Sequence, residues 1–267
     1  MSDYGDFARF YDKFTSNVDY PARARYFDTV IQKYNPDAQL MLDLACGTGS
    51  LSFEMEPFGY DIVAVDNSYE MLSVAMEKKE MLESNVLFLC QEMSELDLFG
   101  TIDATVCALD SINHIIDEDE VKDIFKKVSL FSNRGAVFAF DVNTVYKHQE
   151  VLANNCFVYE NKNTFCAWQN SLDKDGVTVD ISLDFFDKTE NDGLYCRYSS
   201  DFSERAYEIE DLKKWLTDAG FEAKAVFDED SFLPLRRDSQ RAVIVAVKKS
   251  FNFFEKISKK WLTFLKR

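Results

Sequence analysis

The sequence predicts an α/β fold: a mostly parallel sheet with helices on both faces, into which an antiparallel β block is inserted. Three observations carry this. From Leu40 onward, apolar strand-like runs alternate with amphipathic segments at helical spacing, the pattern of successive β-α units. Between about 156 and 203 the alternation shortens to period two, the pattern of half-buried antiparallel strands. The run Met41-Leu42-Asp43-Leu44-Ala45-Cys46-Gly47-Thr48-Gly49-Ser50 sets a Gly-x-Gly turn at the end of an apolar strand, where a bent backbone can admit a ligand closely.

Taken in order, residues 1–34 mix aromatics with charges at helical spacing, as in Tyr11, Phe14, Tyr26, Phe27, Val30 and Ile31, and read as helical cover over a site mouth. Strands are expected near 40–45, 61–66, 86–91, 102–109 and 136–142, with helices near 50–58, 68–82 and 117–131. In the inserted block Val177, Val179, Ile181, Leu183 and Phe185 face one way while Thr178, Asp180, Ser182 and Asp184 face the other. Asp175-Gly176 and Asp192-Gly193 are hairpin dipeptides between those strands, because glycine supplies the positive φ of tight turns. A helix over 207–219 is stopped by Gly220 and followed by strands at 221–227 and 241–247.

In the tail, Phe254, Ile257, Trp261 and Leu265 recur at helical spacing among Lys256, Lys259, Lys260, Lys266 and Arg267. Such a basic amphipathic helix can dock on its own domain, on a sister subunit in a homodimer, on a partner, or on a membrane surface. Three units follow: a core of 1–155 and 204–249 with an N-terminal helical cap, an antiparallel β insert of 156–203 placed as a lid over the site mouth, and the 250–267 helix.

With 267 residues and 46% hydrophobic content, the chain can bury one large core plus a small appended layer. Acids outnumber bases 47 to 30, a formal charge of −17, so the averaged field repels phosphate backbones and disfavours nucleic acid as a partner. Cys46, Cys90, Cys107, Cys156, Cys166 and Cys196 show no C-x-x-C spacing and read as reduced thiols rather than disulfides or metal ligands. No run approaches the ~20 apolar residues of a membrane span, and the first residues lack an apolar signal-like stretch. A cytoplasmic protein without a bound metal is expected.

The candidate cofactor site centres on Asp43, four residues ahead of Gly47, and on Asp66, which closes the next apolar strand where an acid can accept ribose hydroxyls. Dinucleotide binders use a third glycine and place a pyrophosphate at the helix N-terminus. Here the third position is Ser52, and Asp43 would repel a pyrophosphate. S-adenosylmethionine has no phosphate and carries a sulfonium and an ammonium, which a carboxylate stabilises.

At these residues the chain resembles the class I S-adenosylmethionine-dependent methyltransferases, whose first motif reads much like LDLACGTG and whose second ends in an acid like Asp66. It is most similar to small bacterial methyltransferases, mostly of unassigned substrate, that carry an F-A-x-x-Y-D segment, here Phe7 to Asp12, and a strand end like Phe140-Asp141-Val142-Asn143-Thr144. The resemblance implies a Rossmann-like seven-stranded sheet whose last two strands form a hairpin with one antiparallel strand. It implies that Asp43 meets the methionine ammonium, directly or through water, and that Ala45, Gly47 and Gly49 line the methionine moiety. Asp66 would take the ribose hydroxyls. Met71 would lie near the adenine edge, or else be a core methionine. Glu92 and Met93 stand where related enzymes carry an Asp and an apolar residue for the adenine, so that Glu92 would reach the adenine amino group or else be an exposed helix-entry acid. Leu109 ends the fourth strand beside the cofactor, and Tyr11 looks like the family tyrosine that closes over the sulfonium, or else is a packed aromatic on an amphipathic helix.

Ligands gather at the carboxyl ends of strands in such sheets, so the loop Asp110-Ser111-Ile112-Asn113-His114 should face the acceptor. Asp110 and His114 are the candidates for removing a proton, His114 being one of only two histidines in the chain. Asn113 would position the acceptor or brace the loop. In the insert, Tyr159, Trp168, Tyr195 and Arg197 are candidates for an acceptor pocket, although the sheet's own apolar face accounts for such aromatics equally well. No N-P-P-Y, D-P-P-Y or Pro-Cys run appears, so resemblance to the DNA-methylating enzymes fails at the residues their chemistry employs. The expected activity is transfer of a methyl group by in-line displacement to the N or O atom of a small molecule, leaving S-adenosylhomocysteine. The alternatives are a non-catalytic S-adenosylmethionine-binding or interaction module and, disfavoured by Asp43 and Ser52, a nicotinamide-dependent oxidoreductase.

Overall fold

The computed structural model describes residues 8, 11–12, 15, 17–160, 162–189, 193–229 and 231–249; the expected 250–267 helix lies outside them. A seven-stranded sheet is built from β1 (Leu40–Leu44), β2 (Asp61–Asp66), β3 (Leu87–Cys90), β4 (Ile102–Cys107), β5 (Ser132–Asn143), β10 (Phe221–Asp228) and β11 (Arg241–Lys248), in the order β10-β11-β5-β4-β1-β2-β3. β1 runs parallel to β2 and β4, and β4 to β5, while β11 is antiparallel to both β5 and β10. The expected terminal hairpin with one reversed strand is therefore present.

Strand periodicity decides what each face meets. Leu42 and Leu44 of β1, and Phe138, Phe140 and Val142 of β5, join one core with α4 (Glu118–Phe131) and α5 (Ile209–Asp218). Met41, Val137, Ala139 and Val243 point the other way, into a second core under α1 (Tyr20–Tyr34) and α2 (Ser50–Met55). Because side chains alternate, Asp43 and Asp141 share that second face, at the strand ends where the apolar cover stops.

The helices start at chemically defined points. Asp19 accepts the Ala22 N–H and Pro21 fills the first turn of α1; Ser68 accepts the Met71 N–H at the start of α3 (Tyr69–Leu82); Asp117 caps α4, whose first turn is Glu118-Asp119-Glu120. Side-chain acceptors and acids at these positions satisfy otherwise orphaned N–H groups. Among the described residues no helix is long and apolar enough to cross a membrane.

The insert is a separate four-stranded antiparallel sheet: β6 (Cys156–Glu160), β7 (Thr164–Leu172), β8 (Thr178–Lys188) and β9 (Tyr195–Arg205). Gly176, at φ 74°, turns β7 into β8. The apolar row Val179, Ile181, Leu183 and Phe185 is buried, packing with Met71 of α3 and with Ala8, Tyr11 and Leu152. Two of the boundaries that differ from expectation are those of β9 and β5. β9 runs on to Arg205, two residues past the expected limit, and so carries Glu204 into the main domain. β5 begins at Ser132 because a register irregularity against β4, near Gly135 at φ 81°, lets pairing start before the apolar run does.

Candidate functional site

The site lies at the carboxyl ends of β1, β2, β4 and β5, and the chain leaves β1 and β4 through left-handed backbone. After β1, Ala45, Gly47 and Gly49 have φ of 61°, 55° and 75°. The turn is tied by Cys46 N–H to the Val65 carbonyl at 2.9 Å, Gly49 N–H to the Cys46 carbonyl at 2.9 Å, and Gly47 N–H to Asp66 Oδ2 at 2.7 Å. Asp66 Oδ1 accepts the Ser68 N–H at 2.9 Å. One carboxylate thus holds both the glycine turn and the entrance to α3. Burial and the neighbouring Glu92 raise the Asp66 pKa, and its N–H donors oppose the rise.

Asp43 is buried, and Ser52 Oγ donates to its Oδ2 at 2.5 Å. Ser52, expected only as a departure from a glycine fingerprint, is the anchor of the acid. Burial, reinforced by the Asp66 charge and opposed by Ser52, lifts the Asp43 pKa to about 6. A cavity beside it is lined by Tyr11, Tyr20, Asp43, Ala45, Cys46, Thr48 and, from the far side, Ala108 and Leu109. Among the described residues, that lining contains a carboxylate and no Lys or Arg, which suits a cationic group and not a phosphate.

Gly49 is required here twice over. A Cβ at this position would lie 2.8 Å from Phe88 Cζ and 3.1 Å from Phe53 Cε2, and those two rings pack edge to face at 5.7 Å. At Gly47 the nearest neighbour is Tyr11 Cε1 at 3.8 Å. Gly49→Ala is therefore expected to lose about 2–3 kcal/mol, from left-handed strain plus overpacking, and Gly47→Ala about 1 kcal/mol from backbone strain alone. Equal losses in denaturant unfolding of the two variants would refute this account of Gly49.

The N-terminal segment is fastened over the turn by a cluster that the sequence reading did not single out. Thr48 Oγ1 donates to Asp12 Oδ1 at 2.6 Å, and Lys78 Nζ of α3 reaches Asp12 Oδ2 at 3.0 Å and Ser50 Oγ at 2.8 Å. Asp12 belongs to the F-A-x-x-Y-D segment, so the motif's acid is its tether. Tyr11 then faces the cavity, its pKa raised well above the ordinary value by burial and by Tyr20, Asp110 and Asp66.

After β4 the chain turns through Leu109 and Asp110, at φ 59° and 54°. This backbone is held by Asp141 at the end of β5, whose Oδ1 accepts the Leu109 N–H at 2.7 Å and whose Oδ2 accepts the Asp110 N–H at 3.1 Å. Arg23 of α1 approaches Asp141 Oδ1 at 3.4 Å, and Arg241 of β11 bridges Asp141 and Asp110, reaching the latter at 2.8 Å. Asn143 donates to Asp110 Oδ2 at 2.7 Å. Burial alone would raise the Asp110 pKa, but Arg241, Lys147 and His114 outweigh it and hold the carboxyl well below the usual range. A carboxylate so held is a fixed anion and a weak proton acceptor.

Asn113 is fully buried and used internally: its Oδ1 accepts the Asn143 N–H at 2.9 Å, and its Nδ2 donates to the carbonyls of Asn143 at 3.2 Å and Arg205 at 2.9 Å. It braces the loop against β5 and β9. His114 is half-buried, with Nε2 3.7 Å from Glu204 Oε1 and its ring against Phe202.

Other expected residues are dispersed. Leu109 lines the cavity, whereas Met71 is buried among the apolar residues under the insert. Met93 packs against the core on the α4 side, and the exposed Glu92 accepts from Asn67 Nδ2 at 3.0 Å. Tyr159 and Trp168 have rings 6.1 Å apart on the insert, and Trp168 packs on the buried apolar cluster beneath it. Arg197 forms a two-pronged pair with Asp184 at 2.9 and 3.0 Å, which puts it on the polar face opposite Leu183 and Phe185. Tyr195, two residues earlier on β9, shares that outer parity and is exposed. Among the described residues no group of three His, Cys, Asp or Glu is placed to hold a metal ion.

A family model described as a methyltransferase domain matches residues 41–135, the span from β1 into β5. A Bacillus subtilis (strain 168) protein bearing a methyltransferase name is 30% identical, over 84% of this chain and 88% of its own. One from Geobacillus sp. (strain WCH70) is 28% identical, over 92% and 99%. The crystal structure of an S-adenosylmethionine-dependent methyltransferase from Clostridium acetobutylicum ATCC 824 superposes with a TM-score of 0.84 at 33% identity, covering 92% of this chain and 99% of that one.

Proposed function

This chain belongs to the S-adenosylmethionine-dependent methyltransferases, and on that premise we propose that it moves the methyl group to a nitrogen or oxygen atom of a small molecule held between the glycine turn and the inserted sheet. The observation that carries the reading is Asp43: a buried acid beside a cavity lined, among the described residues, by no basic side chain. The residues fit the cofactor. Asp43 would meet its ammonium; Ala45, Gly47 and Gly49 would pass backbone along the methionine; Asp66 would exchange its Gly47 contact for, or share it with, a ribose hydroxyl. Glu92 and Met93 would lie toward the adenine. S-adenosylmethionine supplies an electrophilic methyl on a sulfonium, so the protein's work is alignment and exclusion of water. Tyr11, tethered through Asp12, would close the site from the N-terminal side, and the inserted sheet would cover the acceptor.

The position of Asp110 in the ion cluster, as a fixed anion, leaves His114 as the residue to accept a proton from the acceptor. The strongly acidic total charge and the absence of nucleic-acid-methylating motifs support a small acceptor.

Calorimetric titration separates this reading from a nicotinamide enzyme: S-adenosylmethionine should bind, and NADH should not. Affinity should also depend on pH with a defined sign. A bound ammonium lowers the Asp43 pKa from its ligand-free value of about 6, so affinity is full above pH 6 and falls, up to tenfold per unit, as pH drops below it. An affinity that is flat between pH 5 and 7 overturns the role of Asp43. A non-catalytic module would bind the cofactor yet release no S-adenosylhomocysteine with any member of a metabolite library.

A further inference from the structure

Both histidines of the chain stand on either side of one buried carboxylate. Glu204, near the end of β9 and 5% exposed, has Oε1 3.7 Å from His114 Nε2 and Oε2 3.8 Å from His148 Nε2. Oε2 also accepts from Asn143 Nδ2 at 3.1 Å. His148 is fully buried in the helical turn Lys147–Leu152, and its Nδ1 lies 2.8 Å from the Val177 carbonyl oxygen. A carbonyl can only accept, so Nδ1 carries the hydrogen and neutral His148 presents a bare Nε2. Among the described residues, that nitrogen has no hydrogen-bond partner, and it faces Glu204 at 3.8 Å.

A buried acceptor without a donor is costly, and the available donor is a proton on the facing carboxyl. Other groups act on the same carboxyl: Asp110 from the turn after β4, His114 beside it, and Lys147, whose Nζ donates to Asn143 Oδ1 at 2.8 Å. Burial and the Asp110 charge raise the Glu204 pKa, while burial lowers that of His148. The carboxyl and the buried imidazole therefore compete for one proton. The distances of 3.7 and 3.8 Å are open ones, of the kind that tighten when a ligand settles into such a site.

We propose that Glu204 is the positioning residue for methyl transfer: one carboxyl oxygen orients His114 by its Nε2 edge, and the other is held by Asn143 and by a proton shared with His148. This rests on the methyltransferase reading and adds that the acceptor carries a proton on its nucleophilic atom when it arrives. That X–H bond breaks, the proton passes to the His114 ring on the edge away from Glu204, and the electron pair stays on X. Glu204, as an anion, stabilises the resulting imidazolium. The shared proton then rests on His148. The insert is thereby more than a cover, because its last strand supplies the carboxylate that makes His114 an effective base.

The test is the tautomer and proton sharing of the two imidazoles in the ligand-free full chain, read by NMR of the ring nitrogens with labelled histidine; His148→Gln assigns the signals. In the native chain His148 should show a hydrogen on Nδ1 and an Nε2 that shares a proton, and His114 should carry its hydrogen on Nε2, facing Glu204. On Glu204→Leu, which removes both carboxyl oxygens, the His148 Nε2 signal should become that of an unshared acceptor and the His114 preference for the Nε2–H tautomer should be lost. Glu204→Asp should restore part of both. Ring-nitrogen signals of His114 and His148 that are the same in Glu204→Leu as in the native chain overturn the proposal. If Glu204→Leu does not fold, the native chain decides: a His148 Nε2 with the signal of an unshared acceptor overturns the shared proton. Failure of the methyltransferase reading is a separate result, seen as absent S-adenosylmethionine binding in the native chain, and leaves the ring-nitrogen signals unaffected.

Discussion

Asp43→Asn is expected to make the ligand-free protein more stable at neutral pH while lowering its affinity for S-adenosylmethionine about a hundredfold. The two effects have one origin. Asp43 is 1% exposed, and burial pushes its pKa to about 6, against about 3.9 in an unfolded chain. For an acid with a raised folded pKa, the unfolded chain ionises first, so stability falls as pH rises from about 4 to about 6 and stays low above that. Two units correspond to about 3 kcal/mol. Asparagine keeps the shape and can still accept from Ser52 Oγ, now without a charge to desolvate. Its amide adds a donor that needs a partner, a cost of about 1–2 kcal/mol, so a net gain of about 1–2 kcal/mol remains, or a few degrees in Tm. The ammonium of the cofactor loses its counter-charge in a dry site, about 3 kcal/mol of binding or a hundredfold in Kd. Thermal unfolding with and without the cofactor, together with calorimetry, reads both. An affinity within threefold of the native one sinks the assignment of Asp43, and a lower ligand-free Tm sinks the account of its burial.

Arg241→Met should produce the largest loss of stability. Its guanidinium lies between Asp110 and Asp141, with side chains 14%, 17% and 0% exposed. Removing it leaves two carboxylates facing one another in a poorly solvated place, with Arg23 near one of them. Breaking a buried pair from one side costs about 3–5 kcal/mol, which for a chain of this size is about 10 °C in Tm. Asp141 also holds Leu109 and Asp110 in left-handed backbone, so the loop that carries His114 loosens too. Arg241→Met/Asp110→Asn should be less damaged than the sum of the single changes, with a coupling of at least about 1 kcal/mol. The acid limb should also change. Native Asp110, held below the usual carboxylate range, contributes stability above about pH 4, and this is lost only as pH falls toward its lowered value. The variant lacks that contribution and should already be weakened at neutral pH. Urea unfolding that shows a loss under about 1 kcal/mol, or strict additivity in the cycle, would refute the cluster's role.

The cofactor half of the site was legible because it is local. Asp43, Ala45, Gly47 and Gly49 fall within a few residues, and Asp66 ends the next strand; a turn, an acid and an apolar period reveal themselves at that range. The partners that hold them were not. Ser52 bonds Asp43, Asp12 meets Thr48 and Lys78, and Arg23, Asp141 and Arg241 converge from three elements. Nothing in the spacing of those residues marks them, apart from the buried acid at the end of the β5 run. The acceptor half was the least legible. Tyr195 and Arg197 have the aromatic or charged character of pocket residues, but strand parity turns them to the outer face, whereas Glu204, a single acid near the boundary of the insert, lies with the histidines.

The reversed terminal strand followed from family resemblance, whereas the order of residues by itself determined the strands and helices, the inserted antiparallel sheet and an anionic glycine turn suited to a cation. These depend on periodicity and on bends that only glycine makes easily, which act within a few residues. Which acid is a fixed anion and which can share a proton was decided only by the tertiary structure. Charge state depends on burial and on neighbours brought together across the sheet, and Asp110 met an arginine from β11 while Glu204 met two histidines.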